Sequence, residues 1–128
     1  MSWRGFAFEN LCFTHIDQIK KALGIVGVYS EQYAWTKKTD DTLGAQIDML
    51  INRDDNVINM CEVKFYSDEF TVNKDYHMIL QRRVALLQEK IPKRKIVHNT
   101  LITTYGLKYH EYSGDFLQVV TLDDLFKL

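Results

Sequence analysis

The segment from residue 44 to residue 65 decides the fold, and it reads Gly44-Ala-Gln-Ile-Asp48-Met-Leu-Ile-Asn-Arg-Asp-Asp-Asn56-Val-Ile-Asn-Met-Cys-Glu62-Val-Lys64-Phe65. Residues 52–56 form a polar stretch between two apolar stretches that suit strands. This pattern predicts a β-hairpin with strands near 44–51 and 57–66. Side chains alternate between the two faces of a strand. In the pairing expected for this hairpin, Asp48 lies directly across from Glu62, and Gln46 lies across from Lys64.

Asp48 and Glu62 are the candidate active-site acids. Side chains that face each other on antiparallel strands have Cβ atoms about 4.5–5.5 Å apart. Two carboxylates at that separation repel each other unless a cation or a proton lies between them. Mg²⁺, a hard cation that prefers oxygen ligands, suits such a pair, and Mn²⁺ is a substitute for it. The hairpin therefore predicts a metal site.

The neighbours of the two acids argue against the alternative, a pair of solvated surface carboxylates. On a regular strand, Ile58 and Met60 share the face of Glu62. The opposite face of the first strand is covered by four apolar residues: Ala45, Ile47, Met49 and Ile51. Both faces are thus largely apolar, as in a central strand pair covered by helices. Charges at such positions are costly to bury without partners, so the pattern favours a functional site.

Three further charged residues are candidates for the same site. Lys64 points the same way as Glu62, where it either holds an attacking water or forms a simple salt bridge with the acids. Arg83 falls within the apolar arc of a predicted helix, so it either pairs with a phosphate or a site carboxylate or extends to solvent. Glu9 lies at the edge of an apolar stripe, as a solvated residue or as a third site acid.

The remaining elements place the hairpin in a larger sheet. Apolar periodicity predicts a helix at 6–23, which Gly24 ends, and a second helix at 74–91, which Asn73 caps and Pro92 ends. A strand is predicted at 27–35, followed by a polar loop at 36–42. Further strands are predicted at 95–104 and 116–121, and a terminal helix at 123–128. A hairpin followed by a crossover helix implies a mixed central sheet flanked by helices. The predicted fold class is therefore α/β.

Composition limits the class of protein. The 128 residues, 46% apolar and 26% charged, predict a single globular domain over residues 1–128. Cys12 and Cys61 are predicted to be reduced core thiols, and a cytoplasmic location is expected because no apolar run reaches the length of a membrane span. The net charge of −1 is neutral evidence on nucleic-acid binding. The basic residues at 93–95 form either a solvated loop or a contact for a nucleic-acid backbone.

Several of these residues resemble the PD-(D/E)xK nuclease superfamily, which has the restriction endonuclease-like fold. The likeness lies in Glu9 within Gly-Phe-Ala-Phe-Glu9-Asn, in Ile47-Asp48, and in Glu62-Val63-Lys64, although Ile47 stands where the family name has proline. The resemblance implies that Asp48 and Glu62 bind Mg²⁺ and that the Val63 carbonyl adds a ligand. It further implies that Lys64 assists the attacking water and that Glu9 is an auxiliary catalytic acid. Gln81 resembles a glutamine that some branches place on the following helix, which with Arg83 makes it a candidate substrate-binding residue.

More narrowly, the run from Trp3 to Phe65 resembles the C-terminal nuclease-like domain of bacterial and archaeal AAA-type P-loop ATPases. These residues contain no P-loop motif, so ATP binding is expected in a preceding part of a longer protein. The first hypothesis is a Mg²⁺-dependent phosphodiesterase that cleaves DNA. The alternatives are a noncatalytic nucleic-acid-binding or regulatory appendage of such an ATPase, and a domain that works by protein contact through exposed tyrosines and Trp35.

Overall fold

A computed structural model of the chain describes residues 3–36 and 46–127. The helices are α1 (Trp3–Thr14), α2 (Ile16–Ala22), α3 (Lys74–Gln88) and α4 (Leu122–Leu125), with a short 3₁₀ turn at Ser113–Asp115. The strands are β1 (Ser30–Thr36), β2 (Gln46–Arg53), β3 (Val57–Lys64), β4 (Ile96–Thr103) and β5 (Gln118–Thr121). Most of the predicted loop at 36–42 and the predicted start of the hairpin at residue 44 lie outside the described residues.

The five strands form one sheet in the order β1-β2-β3-β4-β5. The first three strands pair antiparallel, and β3, β4 and β5 pair parallel. Helix α3 makes the crossover between the parallel neighbours β3 and β4, as such a connection requires. The protein is thus an α/β fold with a mixed sheet, and the predicted fold class is confirmed.

The hairpin is formed by β2 and β3, with Met49 opposite Cys61 and Asn52 opposite Ile58. Its turn contains only residues 54–56, so the expected five-residue polar loop was too long. Asn56 has a φ of 65°, the left-handed conformation that asparagine tolerates in tight turns. The paired register ends at Met49–Cys61. Asp48 and Glu62 are the next residues along the two strands and lie beyond the last pair, so their facing arrangement stays a prediction.

The expected single helix at 6–23 is wrong, because the chain breaks at His15 into α1 and α2. The carbonyl of Leu11 accepts hydrogen bonds from the Thr14 hydroxyl at 3.0 Å and the main-chain N–H of His15 at 3.0 Å, while His15 Nδ1 lies 2.9 Å from it. Side chains that bond nearby main-chain groups in this way compete with continuation of a helix.

The predicted stop at Gly24 is confirmed. Gly24 has a φ of 73°, and the N–H of Ile25 bonds the carbonyl of Lys20 while the N–H of Gly24 bonds that of Lys21. This pair of bonds is the Schellman arrangement that ends many helices. The cap of α3 is also confirmed, since the Asn73 side chain accepts from the N–H of Tyr76 at 2.8 Å.

Two apolar clusters cover the two faces of the sheet. Helices α1, α2 and α4 pack on one face over Met49, Ile51 and Cys61, among others. Helix α3 packs on the other face over residues that include Leu50 and Met60. Both cysteines are free and buried, as predicted. Trp35, expected on an exposed contact surface, is half-buried against the α3-side cluster.

No helix within the described ranges is long and apolar enough to cross a membrane.

Candidate active site

Glu62 is the centre of the site, and its side chain has 0% exposure. Strand β3 directs it toward α3, where the Tyr76 hydroxyl donates a hydrogen bond of 2.8 Å to Glu62 Oε1. The Arg83 guanidinium forms an ion pair with the same oxygen. The other oxygen, Oε2, is buried and has no hydrogen-bond partner in the described part of the chain. One half of this carboxylate is therefore satisfied and the other half is not.

The surroundings of Glu62 favour its neutral form. Burial raises the pKa of the Glu62 carboxyl above its ordinary value, the positive charge of Arg83 opposes the rise, and the negative charge of Asp48 adds to it. A buried carboxylate oxygen without a donor is costly. A proton or a cation at Oε2 would remove that cost.

Asp48 reaches the site through an irregularity in β2. Between the pairs Tyr33–Leu50 and Trp35–Ile47, a single residue of β1 faces two residues of β2, Asp48 and Met49. The Asp48 carboxylate accepts a hydrogen bond of 2.9 Å from the N–H of Val63. This side chain therefore takes a place that a main-chain carbonyl of β2 would fill in a regular ladder.

The Val63 carbonyl faces the same gap. In an extended strand, the N–H and C=O of one residue point to the same side, as the paired bonds of antiparallel ladders require. Since the N–H of Val63 points to Asp48, its carbonyl also points toward β2. The main chain of Val63 is thus directed toward β2 and Asp48, and the role of its carbonyl as a metal ligand stays a prediction.

Glu9 joins the site from α1, where it is half-buried. Burial, a hydrogen bond to Asp48 and the negative charge of Asp48 together raise the pKa of the Glu9 carboxyl to about 7. The Glu9 carboxyl therefore holds its proton up to a higher pH than an ordinary glutamate does. Glu9 is thus half-buried and close to Asp48, and its role as a third site acid stays a prediction.

Lys64 lies beside the acids without an ion pair to Asp48 or Glu62 in the described residues. Its ammonium nitrogen is 5.2 Å from the centroid of the Tyr76 ring, within the range of a cation–π contact. Its positive charge lowers the pKa of Glu9 and of Glu62, although other causes dominate for both. The simple salt bridge is thus replaced by a contact with an aromatic face.

The two candidates on α3 have different outcomes. Arg83 pairs with the site carboxylate Glu62, which was one of the alternatives open for it. Gln81 is exposed, and with Asn99 and Asp115 it lines a separate cleft of about 380 Å³. Two residues along an α-helix correspond to about 200° of rotation, so Gln81 and Arg83 point in nearly opposite directions. The structure does not bring Gln81 to the acids.

Tyr76 is the site residue that sequence reasoning missed, because it was assigned to the apolar stripe of α3. Its hydroxyl contacts Glu62 and its ring contacts Lys64. Burial raises the pKa of Tyr76 well above its ordinary range, so the hydroxyl remains a donor. The available signal was its spacing from Arg83, since residues two turns apart share a helix face.

The basic residues at 93–95 lie at the opposite end of the sheet. Lys95 donates to Asn52 Oδ1 at 2.6 Å and to the carbonyl of Arg53 at 3.0 Å, next to the hairpin turn. This lysine secures the end of the hairpin. Its position is remote from the acids, which lie at the carboxyl end of β3.

The donor set allows a test of fit for Mg²⁺. Among the described residues, no group of three or more His, Cys, Asp or Glu side chains is arranged as a metal site. The oxygen donors available are the unpartnered Oε2 of Glu62, the Asp48 carboxylate and the Val63 carbonyl. All three are hard ligands of the kind that Mg²⁺ prefers. The residues fit such an ion, although Arg83 neutralises part of the charge.

Comparison with known proteins adds information on the fold alone. No protein-family model matches the chain, and no curated protein matches it. A crystal structure of a protein of unknown function, AF1548, is similar over 90% of this chain, with a TM-score of 0.52 and 15% identity. The likeness covers 64% of that chain, so the present chain spans less than two thirds of its length. The class defined by fold and site is an α/β protein with acidic side chains close to the carboxyl end of β3.

Proposed function

We propose that this domain is a metal-dependent phosphodiesterase acting on DNA, with the restriction endonuclease-like fold of the PD-(D/E)xK nucleases. Asp48, Glu62 and the Val63 carbonyl hold the Mg²⁺ or Mn²⁺ ion. One observation carries the proposal: Glu62 Oε2 is buried, has no hydrogen-bond partner among residues 3–36 and 46–127, and feels the negative charge of a second carboxylate, Asp48. A cytoplasmic location and a preceding AAA-type ATPase region belong to the same proposal.

The chain's own residues supply most of the chemistry. When bound, Mg²⁺ polarises a phosphate and lowers the pKa of a water molecule. Lys64, fixed on the Tyr76 ring, orients the attacking water or faces the charge that develops on the phosphate. Glu9, with a pKa of about 7, accepts or returns a proton next to Asp48. Tyr76 and Arg83 hold Glu62 in position.

The experiment is calorimetric titration of the domain with Mn²⁺, followed by a cleavage assay on labelled DNA. Wild-type protein is expected to take up metal and cut DNA, and Asp48→Asn is expected to lose both. The control is Asp54→Asn, which removes a charge from the exposed turn at the other end of the same hairpin. Absence of metal uptake by the wild-type domain refutes the proposal.

A noncatalytic nucleic-acid-binding or regulatory appendage of an ATPase is the second candidate. The observation in its favour is the ion pair of Arg83 with Glu62, which provides a counter-charge without any metal. On this candidate, the domain binds DNA under saturating Mn²⁺ without cutting it, and Arg83→Ala does not create cleavage. Cleavage by the wild-type domain that Asp48→Asn abolishes excludes this candidate.

A further inference from the structure

Tyr66 is an exposed aromatic residue at the carboxyl end of β3. It follows Lys64 by two residues, and it is 50% exposed. Its main-chain N–H donates a hydrogen bond of 3.0 Å to the hydroxyl of Thr104, the residue after β4. In open α/β sheets, ligands bind beyond the carboxyl ends of the parallel strands. Tyr66 therefore lies at the edge of the sheet where a ligand is expected.

A series of three rings connects Tyr66 to the acidic site. The Tyr66 ring meets the Phe70 ring edge to face, with centroids 5.8 Å apart and an interplanar angle of 89°. Phe70 meets Tyr76 in the same way, at 5.2 Å and 75°. Phe70 and Tyr76 pack in the apolar cluster under α3, and the Lys64 ammonium lies 5.2 Å from the Tyr76 ring centroid. Tyr66 and Lys64 therefore both contact the rings of the α3 side of the sheet.

The support of Tyr66 is fixed by the pairing of two loops. The N–H of Phe70 donates to the carbonyl of Gly106 at 2.8 Å, and the carbonyl of Phe70 accepts from the N–H of Lys108 at 2.9 Å. These bonds form a parallel bridge between Phe70 and Leu107, which joins the segment after β3 to the segment after β4. Phe70 is only 9% exposed. Tyr66 thus presents its free surface from a position that a buried ring holds in place.

The charge beside Tyr66 indicates what binds there. Lys64 has no ion pair within residues 3–36 and 46–127, so its ammonium is available to an anion. Two residues of extended chain span at most about 7 Å, a distance that one nucleotide covers. A nucleotide places a flat base on Tyr66 and a phosphate at Lys64, whereas a purely apolar partner would leave the ammonium without a counter-charge. The base has a free face for an aromatic side chain when it is unpaired.

We propose that Tyr66 stacks on an unpaired base while the adjacent phosphate lies at Lys64, so that the substrate of the domain is single-stranded DNA. In a duplex the bases are paired and stacked on one another, and Tyr66 gains no such contact. The proposal rests on the function proposed above for the acidic site, and it specifies the substrate of that site.

The test is fluorescence anisotropy with a labelled oligothymidylate, alone and paired with oligoadenylate, in Ca²⁺ to prevent cleavage. Tyr66→Leu retains an apolar contact with Phe70 but has no ring, and it is expected to weaken binding of the single strand by about 5- to 150-fold, the range for loss of one stacked base. Tyr66→Phe keeps the ring and is expected to bind as the wild type does. Tyr29→Leu is the matched control, because Tyr29 is 69% exposed and lies near the hairpin turn.

The salt dependence of binding separates the ring from the lysine. Tyr66→Leu removes no charge, so the slope of log K against log salt concentration should stay at the wild-type value. Lys64→Met removes one phosphate contact and should reduce that slope by about 0.7, the value for one contact with a single strand. A variant that had simply lost its fold would not divide the two effects in this way.

Preferential binding of the single strand that is lost in Tyr66→Leu and kept in Tyr66→Phe supports the proposal. Equal binding of single strand and duplex, an unaffected Tyr66→Leu, or an equal loss in Tyr66→Phe overturns the stacking role. An unchanged salt slope in Lys64→Met overturns the phosphate position, and no binding of either oligonucleotide overturns the whole proposal. Because the assay does not measure cleavage, ring-dependent binding by a protein that cuts nothing refutes the nuclease alone, and duplex cleavage unaffected by Tyr66→Leu refutes the stacking role alone.

Discussion

Replacing Arg83 with alanine removes the counter-ion of a carboxylate that has no exposed surface. The Glu62 side chain has 0% exposure and that of Arg83 has 21%. Removing one partner of a buried ion pair costs about 3–5 kcal/mol, and the partial exposure of Arg83 places this pair near 3 kcal/mol. A domain of this size has a stability of about 5–15 kcal/mol. We therefore expect Arg83→Ala to fold, with a clearly lower free energy of unfolding.

The loss of stability in Arg83→Ala is expected to grow as the pH rises. The pKa of Glu62 is raised in the folded protein, and removing Arg83 raises it further because Arg83 lowers it. A carboxyl with a raised folded pKa binds a proton more readily in the folded state. Its contribution to the free energy of unfolding is therefore highest below the ordinary pKa of 4.5. That stability declines as the pH rises through the folded pKa. The variant is expected to be near wild type at pH 5 and most destabilised at pH 8.

Metal is expected to reverse the loss at pH 8. At a concentration 100 times the dissociation constant, a ligand that binds only the folded state adds about 2.7 kcal/mol, close to the cost of losing Arg83. Urea unfolding followed by circular dichroism, with EDTA or with Mn²⁺, measures both the stability lost with Arg83 and the stability gained from the metal. The wild type gains less from Mn²⁺ than the variant, because Arg83 competes for the charge of Glu62.

Arg82→Ala is the matched control, since Arg82 is the exposed neighbour of Arg83 on α3. It should behave as wild type at both pH values. If Arg83→Ala is equally destabilised at pH 5 and pH 8 and does not respond to Mn²⁺, the electrostatic account of Glu62 is wrong.

Three further predictions concern the same site. Tyr76→Phe removes a hydrogen bond to a charged acceptor and is expected to cost about 1.5–3 kcal/mol at pH 8 by urea unfolding. Tyr76→Leu also removes the aromatic ring that Lys64 contacts, and it should lower the cleavage rate more than Tyr76→Phe does. Glu9→Gln should reduce the decline in the free energy of unfolding between pH 5 and pH 8, because Glu9 has a folded pKa of about 7 and loses its proton in that interval. If the variant has the same pH profile as the wild type, the raised pKa of Glu9 is wrong. Gln81→Ala should leave Mn²⁺ affinity at the wild-type value, since Gln81 faces a separate cleft, and a loss in calorimetry would show that the cleft and the site are coupled.

The hairpin could be predicted because period-two alternation and a polar turn are strong local signals. The break at His15 could not, since it depends on side-chain contacts with a single carbonyl rather than on apolar periodicity. Tyr76 was missed for a related reason. A tyrosine in an apolar stripe satisfies the helix pattern whether or not its hydroxyl has a buried partner.

Asp48 shows why the broken pattern matters for the site. Strict alternation would place Ile47 on the face covered by α1, but Ile47 packs in the α3-side cluster while Met49 packs in the other. The irregularity between them includes Asp48, whose carboxylate accepts a hydrogen bond from the N–H of Val63. From that position one carboxylate interacts with Glu9 from the α1 layer and with Glu62 on the α3 side. A regular strand would present Asp48 to a single face of the sheet, whereas the register shift at this point lets its charge act on one acid from each helix layer.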